Sequence, residues 1–94
     1  MLNFDYHNVK VERGKGTQVV VRGEVTNRTG KSYATVAGRI ILFIKNTVLS
    51  NTIFVVNGLP AGATRPFEKV IDELDYNQVG KDITNFEIYT ETGF

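Results

Sequence analysis

Ninety-four residues with no cysteine leave room for one domain, residues 1–94. They exclude disulfides, zinc-finger clusters, iron–sulfur ligation and thiol nucleophiles together. Eleven Lys/Arg stand against ten Asp/Glu, a formal charge of +1, so neither nucleic acid nor an anionic membrane is expected as a partner. The 41% hydrophobic and 22% charged residues describe a globular chain, and composition alone does not say what that chain does.

Twelve Val, seven Ile, ten Thr and ten Phe or Tyr are the residue types that suit a pleated, half-buried surface. No long stretch repeats apolar residues at helical spacing, and turn signals recur every 8 to 15 residues. The pattern predicts an all-β chain, a sandwich or barrel. The longest apolar run, Ile40 to Ile44, is far short of the ~20 residues needed to span a bilayer. The N-terminus Met1-Leu2-Asn3-Phe4-Asp5-Tyr6 lacks a basic region and a hydrophobic region, so no signal peptide is read there. Either the native protein is cytosolic or the chain starts after a removed targeting segment. The missing cysteine does not decide between them.

A first strand is expected within Asn3 to Glu12, carrying Phe4, Tyr6, Val9 and Val11. The change of parity between Tyr6 and Val9 predicts a bulge or break near His7-Asn8. Gly14-Lys15-Gly16 supplies a turn. A second strand, about Thr17 to Asn27, points Val19, Val21 and Val25 inward and Arg22, Glu24 and Thr26 to solvent. Gly23 interrupts the inward row and marks either a bulge or a close approach between sheets. After the Asn27-Arg28-Thr29-Gly30 turn, a third strand covers Ser32 to Lys45, with Val36, Gly38, Ile40, Leu42 and Ile44 on one face.

Asn46-Thr47 turns the chain into a fourth strand, Val48 to Val56. Its pattern is two-sided, Leu49, Ile53 and Val55 against Phe54 and Val56, and periodicity does not choose the inward set. Leu59 is expected as a buried plug under the Asn57–Gly62 loop. A fifth strand, Ala63 to Asp72, carries Phe67 and Ile71 in phase; Asp72 to Asn77 reads as a loop or short 3₁₀ turn. The last strand, Thr84 to Glu91, turns Phe86 and Ile88 inward and Glu87 and Tyr89 outward.

Val21-Arg22-Gly23-Glu24-Val25-Thr26-Asn27, Gly30, the Ile40-Ile41-Leu42-Phe43 strand, Leu59-Pro60-Ala61-Gly62 and Phe67 together resemble the FxLYD family across residues 17–92. Its running pattern is GxVxN-x-(S/T)-G, then (F/V)xLYD, then LxPGxxxxF. Phe43 stands where that family has tyrosine and Ile44 where it has aspartate. Lys45-Asn46-Thr47 replaces the usual Asp-x-x-Gly turn, so the connection between strands three and four is expected to differ in length or shape. The resemblance implies an immunoglobulin-like antiparallel β-sandwich of six to eight strands, in an exported protein that follows a lipoprotein signal or membrane helix. It carries no catalytic residues to transfer.

The residues offer little conventional chemistry. His7 is the one histidine and Ser32 and Ser50 the two serines, so a nucleophilic triad would need them to meet across the sandwich. His7 is better read as a surface or strand-edge residue. Gly30-Lys31-Ser32 copies the tail of a phosphate loop, but Val25 stands where its first glycine belongs and a β-pattern follows. The Asn27-Arg28-Thr29 sequon is explained by its turn.

Residues 66–94 hold seven acidic and two basic residues, and Asp72, Glu73, Asp75 and Asp82 are the weak candidates for a Ca²⁺ site. Solvated loop charge is the simpler reading of them, and no cofactor is expected. Tyr33, Phe43, Phe54 and Tyr89 fall on the phase opposite to the assigned core and are candidates for an interface patch. Taken with the FxLYD resemblance, the expected role is a non-catalytic interaction or spacer module of an extracytoplasmic, membrane-tethered protein, with a protein partner or a second copy on an outer face or open sheet edge. The alternatives are a self-associating structural domain and, further off, a loop that binds calcium or a small ligand.

Overall fold

The computed structural model describes residues 3–94; Met1 and Leu2, which open the N-terminal segment read above, lie outside the described residues. Six strands follow in chain order: β1 (Phe4–Arg13), β2 (Gln18–Asn27), β3 (Tyr33–Ile44), β4 (Thr47–Leu59), β5 (Thr64–Asp75) and β6 (Asn85–Gly93). A one-turn helix α1 (Tyr76–Val79) and a 3₁₀ turn (Gly80–Asp82) join the last two. The strands form two three-stranded antiparallel sheets, β1-β2-β5 (sheet A) and β4-β3-β6 (sheet B). The chain is an all-β sandwich, as its composition predicts.

The core fills the space between the sheets with Val19, Val21, Val25, Val36, Ile40, Leu42, Phe54, Val56, Leu59, Phe67 and Ile71. Each sheet's central strand supplies the most deeply buried row, because it is covered by neighbours on both sides as well as by the facing sheet. Phe86 and Ile88 point inward as their parity predicts, but they lie on the edge strand β6 and stay only partly buried. Leu59 is fully buried, the plug expected beneath its loop.

Two glycines on the central strands seat two phenylalanines. In register, Gly23 of β2 faces Phe67 of β5, and Gly38 of β3 faces Phe54 of β4. A Cβ on Gly23 would lie 3.0 Å from the Phe67 ring, and one on Gly38 would lie 2.6 Å from the Phe54 ring. Each ring covers a strand position that has no side chain of its own. The two rings then stack across the sheet interface at 5.1 Å and 27°, and Tyr6 sets an edge against both at 5.9 Å. Stacked and edge-on aromatic pairs of this kind add about 0.5–1.5 kcal/mol beyond the area they bury.

The bulge expected near His7-Asn8 is present: the β1–β2 register shifts between His7 and Lys10, and Asn8 takes a φ of 53°. A second bulge was not legible. Phe43 pairs with Val48 but Leu42 pairs with Ser50, so Leu49 is an extra residue in β4. A side-chain period of two means that one extra residue exchanges the faces of everything beyond it. Phe54 and Val56 therefore point into the core, while Ile53 and Val55 point out.

Candidate functional site

The four aromatic candidates separate. Phe54 is a core residue, 3% exposed, and its expected place on the outer face is corrected by the Leu49 bulge. Tyr33 also leaves the outer phase: its ring packs against the core rim beside Phe4, at 5.7 Å, in space that Gly93 leaves open. Phe43 is half-buried near the far end of β3. Tyr89 is 43% exposed on β6, as its phase predicts.

What the outer face of sheet B presents instead is Ile53 and Val55 of β4, 48% and 54% exposed, with Val48 exposed at the head of the same strand. Across the sheet, Ile53 faces Arg39 of β3, and Arg39 faces Tyr89 of β6. Val55 faces Ala37, which extends the apolar row. Arg39 is held flat by two hydrogen bonds, donating from Nε to Glu91 at 2.9 Å and from a terminal nitrogen to the Asn51 side-chain oxygen at 2.8 Å. Its charge is thus answered within the face, and its aliphatic stem lies between two apolar neighbours.

Sheet A's outer face has another character. Arg22 donates to Glu68 at 2.6 Å and to Glu12 at 3.3 Å, a line of charge across all three strands. Glu68 and Glu12 hold the Arg22 guanidinium even more firmly protonated than usual, the hydrogen bond to Glu68 most of all. Sheet B thus exposes an apolar row on its outer face, and sheet A a row of paired charges.

The acidic candidates are dispersed rather than gathered. Asp72 and Glu73 belong to β5, not to a loop, although the register leaps from Val19–Ile71 to Gln18–Asp75 and leaves residues 72–74 without partners on β2. Glu73 reaches across the sandwich to accept a 2.5 Å hydrogen bond from the Ser50 hydroxyl, which lowers its pKa. Asp75 caps α1, accepting from the Asn77 backbone at 2.8 Å, and Asp82 lies in the 3₁₀ turn. Among the described residues no group of three or more His, Cys, Asp or Glu is placed to hold a metal ion.

The two serines and the histidine have separate structural places. Ser32 accepts from the Ala61 backbone at 3.1 Å, and Ser50 is bound to Glu73. His7 lies between two carboxylates instead, 3.8 Å from Asp5 and 3.6 Å from Glu24. The Asn27 sequon is a structural knot. The Asn27 side chain is fully buried, donates to the carbonyls of Lys31 and Leu59, and accepts from the Thr29 backbone and hydroxyl. All of its hydrogen-bonding capacity is used in fixing the turn. Gly30-Lys31-Ser32 is a bend with Gly30 at a φ of 81°, followed by β3 and not by a helix.

An open groove of about 340 Å³ runs between the two edge strands β1 and β6, walled by Val9, Val11, Ile83 and Phe86 with Lys10 and Asn85 at its rim. Tyr6 of β1 and Thr90 of β6 join hydroxyls further along the same side and hold the two edges together. No helix among the described residues is long and apolar enough to cross a membrane.

No protein-family model matches the chain, and no curated protein matches it. Two solved structures of β-glucosidase 3B from Thermotoga neapolitana, in complex with glucose and with α-D-glucose, are similar in fold. Each aligns with a TM-score of 0.58 at 12% identity, over 95% of this chain and 16% of the glucosidase chain. The likeness shows that this sandwich fold recurs as a small part of a much longer protein.

Proposed function

We propose that this chain is a non-catalytic interaction module and spacer within an extracytoplasmic, membrane-tethered protein, and that it meets its partner through the outer face of sheet B. The observation that carries the reading is the exposed apolar set of Ile53 and Val55 on β4 and Tyr89 on β6, with Arg39 between Ile53 and Tyr89 bound to Glu91 and Asn51. Exposed apolar area on a β-surface is costly to solubility and marks contact sites.

The immunoglobulin-like character is supported by the strand order. With β1, β2, β3, β5 and β6 taken as strands A, B, C, E and F, sheet A reads A-B-E and sheet B places C beside F. The envelope setting is supported by the resemblance to the FxLYD family alone. The spacer role is supported by dimensions of 41 × 27 × 19 Å.

The test is the double variant Ile53→Thr with Val55→Thr, which keeps β-branched residues on the strand while removing the apolar row. Self-association and partner capture should fall together while the melting temperature stays within a few degrees. Unchanged association would remove this face as the contact. Cell fractionation with an antibody to the domain tests the envelope setting, and retention in the membrane fraction is the expected result.

A further inference from the structure

We infer that the partner of sheet B is a second copy of the chain, joined at the sheet's open edge by antiparallel pairing of β4 with its own copy, so that the outer residues Ile53 and Val55 meet side by side across the seam. The inference rests on the reading of sheet B as the contact sheet and names the occupant. Four strands are sheet edges, and three are guarded. β1 carries Asp5, Lys10, Glu12 and Arg13 and is broken by the Asn8 bulge. β5 contains Pro66, which has no N–H to offer, and six charged residues. β6 carries Glu87 and Glu91, which would meet a like-charged edge in any self-pairing. β4 runs for thirteen residues with no charge and no proline, and its Leu49 bulge lies near the hairpin end, leaving the register with β3 unbroken from Ser50 onward. Natural sheets guard such edges with charges, prolines and bulges, because an unguarded one templates another strand.

The neutrality of β4 bears on the choice of occupant. A two-fold axis sets each residue against its own strand's residues, so an edge with an excess of one sign, such as β5 or β6, repels its copy and an uncharged one does not. The sequence is also self-complementary about Phe54. An axis there sets Ile53 against the copy's Val55 and Val55 against its Ile53, pairing the two exposed residues on the outer face. The same axis sets Asn51 against the copy's Asn57, so that the amides meet at both ends of the apolar pair. Phe54 and Val56 keep their places in the core. Two three-stranded sheets become one six-stranded sheet, with the outer apolar row doubled in length.

The test uses the absence of native cysteine. Asn51→Cys and Asn57→Cys are made as separate chains and cross-linked alone and mixed, with a short bifunctional thiol reagent. The mixture should form covalent dimers at least about tenfold more efficiently than either variant alone, since position 51 faces position 57 across the axis. Sedimentation of the unmodified chain should show a dimer that dissociates on dilution, and Val55→Lys should weaken it at least about tenfold. Equal cross-linking in all three reactions would overturn the pairing. A chain that stays monomeric but captures another protein, and loses that capture in the Ile53→Thr/Val55→Thr variant, overturns the second copy while leaving the contact face intact. A chain that does neither overturns both.

Discussion

The hairpins β1–β2 and β3–β4 are built alike, and each carries a bulge in its edge strand, yet the two bulges do opposite things. In β1 the extra residue falls opposite Gly23, turns Asn8 into the left-handed region, and breaks an edge already studded with charge. In β4 the extra residue lies near the hairpin end, between Val48 and Ser50, and leaves Asn51 to Leu59 in one continuous ladder with β3. A bulge in mid-strand closes an edge to other chains. A bulge near the turn only decides which residues face the core, and it leaves the rest of the edge open.

The sharpest way to break the comparison is at Phe54. If the Leu49 bulge sets the parity of β4, Phe54→Ala empties a core position and should cost about 3–5 kcal/mol, against little for Ile53→Thr at the next residue. A thermal melt of each variant checks this; equal losses would mean that the parity is wrong. Asn27→Ala is expected to cost about 2–3 kcal/mol, because the fully buried side chain's bonds to the carbonyls of Lys31 and Leu59 are lost and the Leu59 carbonyl is left without that donor in the interior. Denaturant unfolding measures it. Gly38→Ala should cost about 1–3 kcal/mol, since the new methyl meets the Phe54 ring and the Tyr89 carbonyl, each at 2.6 Å. Gly16→Ala, where nothing lies within 4 Å, carries only the strain of a left-handed φ.

The smallest effect is electrostatic. The fold lowers the Glu73 pKa below its ordinary 4.5, chiefly through the Ser50 hydrogen bond. The carboxylate's contribution is therefore complete above that ordinary value and disappears as the pH falls through the lowered one. Glu73 is largely exposed, so the contribution is below about 1 kcal/mol. In Ser50→Ala the acid limb of the stability profile should move to higher pH, by an amount that a urea midpoint series between pH 3 and 6 can resolve. Tyr6 bounds the alkaline side: burial raises its pKa, so its stabilising contribution is lost as the pH climbs through that raised value, and Tyr6→Phe should flatten that limb.

Much of the sandwich was written in local pattern. The alternation of Val19, Val21 and Val25, and of Val36, Ile40 and Leu42, names the core rows directly, because each central strand has one face on the core and no interruption other than its glycine. The β1 bulge was legible because apolar residues on both sides of it changed parity. The β4 bulge was not, since apolar residues on both faces of β4 fit either assignment equally well. Counting from a two-residue turn at Lys45-Asn46 alone would set Gly38 against Ile53, one position short of the Phe54 ring it actually seats. The pairing of Gly23 with Phe67 carried the missing signal: a core glycine on a central strand calls for an aromatic ring on the strand beside it. The acidic segment was misread for a different reason. Charge density suggested a loop, while Ile71 in the core and the cap at Asp75 hold residues 72–74 in extended backbone between them.

Amide hydrogen exchange, resolved by strand and repeated from dilute to concentrated protein, tests the unguarded β4 edge most directly. The alternate amides between Asn51 and Asn57 that face away from β3 should gain protection as concentration rises, while those of β1 and β6 exchange at unchanged rates. Protection that rises at β6 or β1, or that stays flat at β4, would contradict the account.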